Sequence, residues 1–318
     1  MNVVVIGGGS WGTAFALLLA EHGHVVTLAC RDRAQAEAIA ATGHNPRYLP
    51  AARLDRITAT TIGDAPVADA DLAVIAVPSS AFAGVVRALP GQCPVLSLTK
   101  GLDPDTGQRL STLVEGRPVA CLSGPNFAEE IAAGLPAATV IASEDEALAL
   151  RLQEAINSPT FRVYVNTDIV GVEFCGAAKN VIALAAGGVD GLGLGDNAKA
   201  GVITRGVAEM ARLGTAAGAR VETFAGLAGM GDLMVTCWST LGRNRRAGEL
   251  IAQGRTAEQA AAEIGQVVEG LNTAPPLRDL ARRLSVDLPI TEAVCSVLGG
   301  ESLTDLVGSI MGRRPRAE

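Results

Sequence analysis

Imidazole is nearly absent from this 318-residue chain. Its three histidines, His22, His24 and His44, all lie near the amino terminus, so proton transfer in the rest of the chain falls to lysine, carboxylate, cysteine or tyrosine. That excludes enzymes with a histidine acid/base beyond a nucleotide-binding unit. Lysine is as scarce: of 26 basic residues only Lys100, Lys179 and Lys199 are lysine, and the rest are arginine. A position that keeps lysine here either survives by chance or needs a compact ammonium whose pKa can be pulled toward neutrality.

Metal chemistry also lacks material. Cys30, Cys93, Cys121, Cys175, Cys237 and Cys295 are widely spaced with no CxxC pair, so a Cys/His metal site is not expected and the thiols read as reduced and packed. A net charge of −7 argues against a nucleic-acid footprint, and the basic runs "GRNRR" (242–246) and "RRPR" (313–316) are too small to hold a polyanion. The amino terminus "MNVVVIGGG" has no basic leader, and no uninterrupted apolar run reaches the roughly 18 residues of a membrane span. A soluble cytoplasmic protein without membrane insertion is expected.

What is present falls into two textures. "NVVVIG" (2–7), "VVTLA" (25–29), "DLAVIAVP" (71–78), "PVLSLT" (94–99), "VACLSG" (119–124), "ATVIA" (138–142) and "FRVYVNTD" (161–168) are short apolar runs between helical patterns. Such strands predict a doubly wound, Rossmann-like parallel sheet covered on both faces. From residue 169 the chain is rich in Ala, Gly and Leu at helical spacing, without clear strands. The reading is an α/β dinucleotide-binding domain over 1–168 and a mostly α-helical substrate domain over 169–318.

Gly7-Gly8-Gly9-Ser10-Trp11-Gly12 matches G-x-G-x-x-G between a strand and a helix. Gly7 suits the tight turn, Gly9 the approach of a pyrophosphate and Gly12 the packing of helix on strand. At the end of the second strand, where NAD-selective sites present an acid, stand Cys30 and Arg31. Arg31, free to stack on adenine or pair with a 2′-phosphate, favours NADP(H) with NAD(H) tolerated; Asp32 is within reach of a ribose, and Arg31 is alternatively just solvated.

"SLTKG" (97–101) and "SGPNFAEE" (123–130) follow strands, which brings Lys100 and Gly124 to the rim where ligands bind in such sheets. Lys100 reads as a ligand for a substrate oxygen or as an ordinary loop lysine. Lys179 lies inside the small apolar run "EFCGAAKNVIALAAGG" (173–188), a setting that lowers an amine's pKa. Asp232, after a glycine-rich turn, reads equally as a helix cap or as the group that orients a substrate hydroxyl and tunes Lys179. Arg243, Asn244, Arg245 and Arg246 precede a helix and either converge on an anion or form a solvated basic turn.

Together "GGGSWGTA", "TKGL", "SGPNFAEEIAAGLP", "GAAKNVIALAAGGVDGLGLGDN", "ITRGVAEM", "GLAGMGDLMVTC", "GRNRR", "GQVVEG" and "LPITEAV", in this order over most of the chain, resemble the bacterial-type NAD(P)-dependent glycerol-3-phosphate dehydrogenases. The resemblance implies reversible reduction of dihydroxyacetone phosphate to sn-glycerol 3-phosphate, supplying glycerophospholipid synthesis. It implies that Lys179 is the acid/base, and that Lys100, Asn180, Asp232 and Thr236 orient it or hold substrate oxygens. By the same resemblance Arg243 and Asn244 grip the phosphate, Lys100 and Arg243 also reach the cofactor, and Gly124, Asn126 and Gly242 line the substrate. Ser10, Trp11, Arg31, Ala128, Val267 and Glu269 match cofactor contacts. The chain departs from the family at Asn126, commonly Ser or Thr, and at Gly242, frequently Ser; both positions can serve through backbone amides. Lys199 receives no role. Small-residue helices suit a homodimer or a monomer equally. Two other readings are a reductase of another small hydroxy or sugar acid, and a non-catalytic NAD(P) sensor that would need the glycine loop but not the lysines.

Overall fold

The computed structural model describes residues 1–304, so "RRPR" and the end of the helical segment lie outside the described residues. The amino-terminal half alternates β1 (Asn2–Ile6), α1 (Ser10–Glu21), β2 (Val25–Cys30), α2 (Arg33–Thr42), β3 (Ile57–Thr61), β4 (Leu72–Ile75), α3 (Ser79–Arg87), β5 (Val95–Ser97), β6 (Val119–Ser123), α4 (Ala128–Ala132), β7 (Ala137–Ala142), α5 (Glu146–Ile156) and β8 (Phe161–Asn166). They form one sheet in the order β3-β2-β1-β4-β5-β6-β7-β8. β1 is apolar along its whole length because both faces are covered: Val3 and Val5 pack with Phe15 and Leu19 of α1, while Val4 and Ile6 pack with Phe82 and Val86 of α3. The strand order reverses between β1 and β4, which opens the crevice at their carboxyl ends where such sheets take ligands.

Two features differ from the sequence expectation. The sheet is mixed, because β7 starts at the carboxyl end of β6 and runs back antiparallel, pairing Ser123 with Val140, and β8 follows β7 in parallel. The edge strand β3, "ITATT", is an addition; it is short and mostly half-exposed, so it lacks the continuous apolar run that marks a doubly covered strand.

The remaining described chain is helical: α6 (Ile169–Gly191), α7 (Gly195–Ala216), α8 (Asp232–Trp238), α9 (Arg243–Ala252), α10 (Ala257–Ile264), α11 (Glu269–Arg283) and α12 (Pro289–Leu298). Asp168 caps α6, accepting from the amide of Gly171. α6 is long and apolar enough to cross a bilayer by composition alone, with a mean hydropathy of 1.6, yet 89% of that window is buried inside the protein. It is the axis of the helical unit. Glycines bring α9 against it almost backbone to backbone: a Cβ on Gly187 would lie 1.8 Å from the Arg245 carbonyl oxygen, and one on Gly248 1.9 Å from that of Leu184.

Candidate active site

Lys179 projects from the middle of α6 toward the carboxyl ends of β5 and β6. Gly176, one turn earlier, keeps the helix surface low enough for Lys100 to cross it; a Cβ there would stand 3.4 Å from Lys100 Cγ. Lys179 Nζ donates to Asp232 Oδ1 at 2.6 Å and to Thr236 Oγ1 at 3.0 Å. Lys100 Nζ donates to the other oxygen, Oδ2, at 2.7 Å and to the Gly124 carbonyl at 3.1 Å. Asp232 thus bridges the two lysines. It begins α8 directly after a π-helical turn, Leu227–Gly231, and does not cap that helix; the cap position is Gly231, with no side-chain bond. Thr236, one turn on, donates its hydroxyl to the Asp232 carbonyl at 2.6 Å and so presents its lone pairs to Lys179.

Burial sets the electrostatics. It pulls the Lys179 pKa down to about 8; Asp232 opposes this and the Lys100 ammonium adds to it. Burial alone would raise the Asp232 carboxyl, but the Lys100 and Lys179 ammonium groups more than offset it and hold the group below the usual carboxylate range. Two ammonium groups on one carboxylate leave one positive charge in excess, a match for an oxyanion or a phosphate.

Asn180, next to Lys179, donates to the Gly176 carbonyl at 3.2 Å and accepts from Asn244 Nδ2 at 2.9 Å. Asn244 Oδ1 in turn accepts from the Gly270 amide at 2.9 Å. Both asparagines are therefore locked and buried. Arg243, at the first position of α9, is exposed and donates to the Val267 carbonyl at 2.9 Å. The four residues 243–246 do not converge: Arg245 turns back to Asp190, and Arg246 approaches Glu263 at 3.7 Å on the outer surface. Asn244 faces Asn180 of α6, next to Lys179, while Arg243 lies on the Val267 side of the same helical turn. Gly242 caps α9 without a side chain, and its Cβ would lie 2.7 Å from the Thr236 carbonyl oxygen. In the loop after β6, Asn126 Nδ2 donates to Thr139 Oγ1 at 2.9 Å, leaving its buried Oδ1 without a partner among the described residues.

The glycine loop has the shape a dinucleotide pyrophosphate needs. Gly7 has φ +121°, and a Cβ there would collide with the Ala76 carbonyl at 2.3 Å; one on Gly12 would lie 1.9 Å from the Gly7 carbonyl oxygen. Gly9, by contrast, faces open space, with nothing within 4 Å of where its Cβ would stand. No side chain caps α1, so the amides of Ser10, Trp11 and Gly12 remain available to an anion. Trp11 is braced edge-on against Phe15 at 5.6 Å, and Ala128 is buried in the core that α1 shares. Cys30 is tucked beneath Gly8, where burial and then Asp32 push its thiol up to about 11. Asp32 is spent as the cap of α2, while Arg31 is exposed. Among the described residues Arg31 has no hydrogen-bond or ion-pair partner. Glu269 is engaged across the molecule: its two oxygens accept from the Ser79 amide at 3.1 Å and hydroxyl at 2.7 Å. Val267 is partly exposed beside Arg243. Among the described residues no cluster of His, Cys, Asp or Glu is arranged for a metal.

The sequence matches the family description "NAD-dependent glycerol-3-phosphate dehydrogenase N-terminus" over residues 2–149 and "NAD-dependent glycerol-3-phosphate dehydrogenase C-terminus" over residues 168–307. The chain belongs to the NAD-dependent glycerol-3-phosphate dehydrogenase family. A relative named glycerol-3-phosphate dehydrogenase [NAD(P)+] from Moorella thermoacetica is 48% identical, over 99% of this chain and 96% of its own. One of the same name from Streptomyces coelicolor is 46% identical, over 100% and 98%. The crystal structure of glycerol-3-phosphate dehydrogenase from Coxiella burnetii superposes with a TM-score of 0.94 at 36% identity, covering 98% of this chain and 99% of that one.

In this dehydrogenase chain several hydrogen-bond partners of the candidate residues carry no signal in the sequence. Ser79, which holds Glu269, follows "VIAVP" in an ordinary βα turn and carries no motif. Thr139, under Asn126, lies inside a strand. The set of Gln35 and Asn45 donating to the Gly8 carbonyl at 2.6 and 3.0 Å was equally silent. Each is a single polar residue whose partner lies on another element, so no local spacing announces it.

Proposed function

We propose that this chain reduces dihydroxyacetone phosphate to sn-glycerol 3-phosphate, reversibly, with Lys179 as general acid/base. The observation that carries the reading is the Lys179–Asp232–Lys100 bridge, with Lys100 just past the carboxyl end of β5 in the same sheet whose β1 leads into the glycine loop. When bound, the nicotinamide cofactor supplies the hydride. The Lys179 ammonium donates its proton to the substrate carbonyl oxygen, and in the oxidising direction the neutral amine takes it back. Lys100 and the locked Asn180 orient the substrate's oxygens, and the excess positive charge stabilises the developing alkoxide. Asp232 and Thr236 keep the amine aimed. Arg243 and Asn244 at the first turn of α9 take the phosphate, with the Gly242 and Gly124–Asn126 backbone beside it.

Arg31, exposed and without a partner among the described residues, beside buried Cys30, supports a preference for NADP(H), with NAD(H) accepted. The same reading carries a cytoplasmic enzyme at the start of glycerophospholipid synthesis. Steady-state kinetics with dihydroxyacetone phosphate, comparing NADPH with NADH, tests all of this at once. A protein that binds the dinucleotide but shows no turnover on this substrate rules the assignment out.

A further inference from the structure

Lys199 takes no part in the chemistry above, yet it is only 5% exposed near the start of α7. Its Nζ donates to Asp190 Oδ2, on the last turn of α6, at 2.8 Å. The same oxygen accepts from Arg245 Nη1 of α9 at 2.5 Å. The Trp238 ring at the end of α8 covers the ammonium, with its centroid 5.1 Å away. Arg245 also donates through Nε to the Ser239 carbonyl at 3.2 Å, which holds the turn leading into α9. One carboxylate oxygen therefore ties α6 to α7 and α9, and α8 joins them through Trp238 over the Lys199 ammonium.

We propose that Lys199 is a positioning residue for the anion grip: it fixes Asp190, Asp190 fixes Arg245, and Arg245 sets the first turn of α9 that carries Arg243 and Asn244. This rests on the reading of those two residues as the phosphate ligands. Arg245 has a competing acceptor in its own helix, Glu249 Oε2 at 3.4 Å and more exposed than Asp190. An Asp190 held by Lys199 keeps Arg245 from exchanging it for Glu249, a purely intrahelical pair that would leave α9 untied to α6 by charge. The site suits lysine and not arginine, because a shared oxygen beneath an aromatic face admits a point charge but not a second planar fork.

The test is full-length Lys199→Met assayed with NADPH on dihydroxyacetone phosphate and on dihydroxyacetone, which lacks the phosphate. The KM for dihydroxyacetone phosphate should rise about tenfold, the scale of one charge-assisted contact, with kcat and the KM for NADPH held within about twofold. Turnover of dihydroxyacetone should not change, and inorganic phosphate should weaken as an inhibitor. An unchanged KM, or an equal loss on both substrates, overturns the proposal; the latter is what a merely loosened fold would give. Should Lys199→Met not fold, Asp190→Asn is put through the same measurements with the same expectations. A wild-type protein inactive on dihydroxyacetone phosphate overturns the parent reading instead, whereas an active wild type with an indifferent Lys199 overturns only this inference.

Discussion

Lys179 and Lys100, on different elements and 79 positions apart in sequence (179 − 100), donate to opposite oxygens of a single buried carboxylate, that of Asp232. Burial lowers the Lys179 pKa, the Asp232 carboxylate opposes this and the Lys100 ammonium adds to it, which leaves Lys179 at about 8.

Removing the amine should remove the chemistry and little else. Lys179→Ala is expected to lower kcat by about two to four orders of magnitude, the usual worth of a positioned acid/base, while dinucleotide affinity by fluorescence titration stays close to wild type. Lys179→Arg keeps the charge but cannot release a proton near neutral pH, so it should be equally slow. Recovery of rate in the arginine variant would sink proton transfer as the role.

The pH profile should separate the two neighbours of Lys179 by sign. With an amine of pKa about 8 as the acid, kcat/KM for reduction holds below that pH and falls as pH rises through it. Asp232→Asn removes the charge that raises the Lys179 pKa, so the falling limb moves to lower pH. Lys100→Met removes a charge that lowers it, so the limb moves higher, on top of an overall loss. Shifts in the same direction would contradict the bridge as the source of the tuning.

Two glycines of the nucleotide loop should fail differently. Gly12→Ala drives a Cβ into the Gly7 carbonyl and is expected to cost folding, seen as a lowered thermal midpoint without cofactor. The Cβ of Gly9→Val has nothing within 4 Å among the described residues, so its midpoint should change little while cofactor-induced stabilisation disappears. A Gly9→Val protein still stabilised by NADPH would show that the pyrophosphate lies elsewhere.

Glu209 should make stability fall with rising pH, independently of activity. Burial pushes its carboxyl up to about 7, opposed by bonds from the Ile290 and Thr291 amides at the start of α12. Between its unfolded value near 4.5 and about 7 the folded state holds a proton that the unfolded state lacks, so the fold is stabilised below that window and loses the stabilisation as pH climbs through it. Denaturant titrations at pH 5 and pH 8 should differ in this direction, and Glu209→Gln should narrow the difference.

How much could be read from sequence follows from how local each feature is. The turn that Gly7, Gly9 and Gly12 make is written in six consecutive residues between a strand and a helix, and Lys179 stands out by rarity within one apolar helix. β3 escaped because half-exposed threonines resemble a loop. The reversal of β7 depends on where the chain lies after Ser123, which no periodicity records. At the site, Asp232 was ambiguous until the fold set β5, α6 and α8 around it, since an acid after glycines serves a cap as well as a lysine. Lys199 was conspicuous and unexplained for the same reason: Asp190, Arg245 and Trp238 meet it only in three dimensions.

The glycine contacts between α6 and α9 bear on substrate choice. Because carbonyls of one helix press directly on the other at Gly187 and Gly248, no rotamer change can alter the spacing between Lys179 on α6 and Arg243 with Asn244 on α9. On the proposed reading this spacing is a ruler graduated in backbone, and it measures the distance from a substrate's carbonyl to its phosphate. Lengthening the accepted substrate by a carbon would then require moving a helix, which single substitutions among the lining side chains do not do.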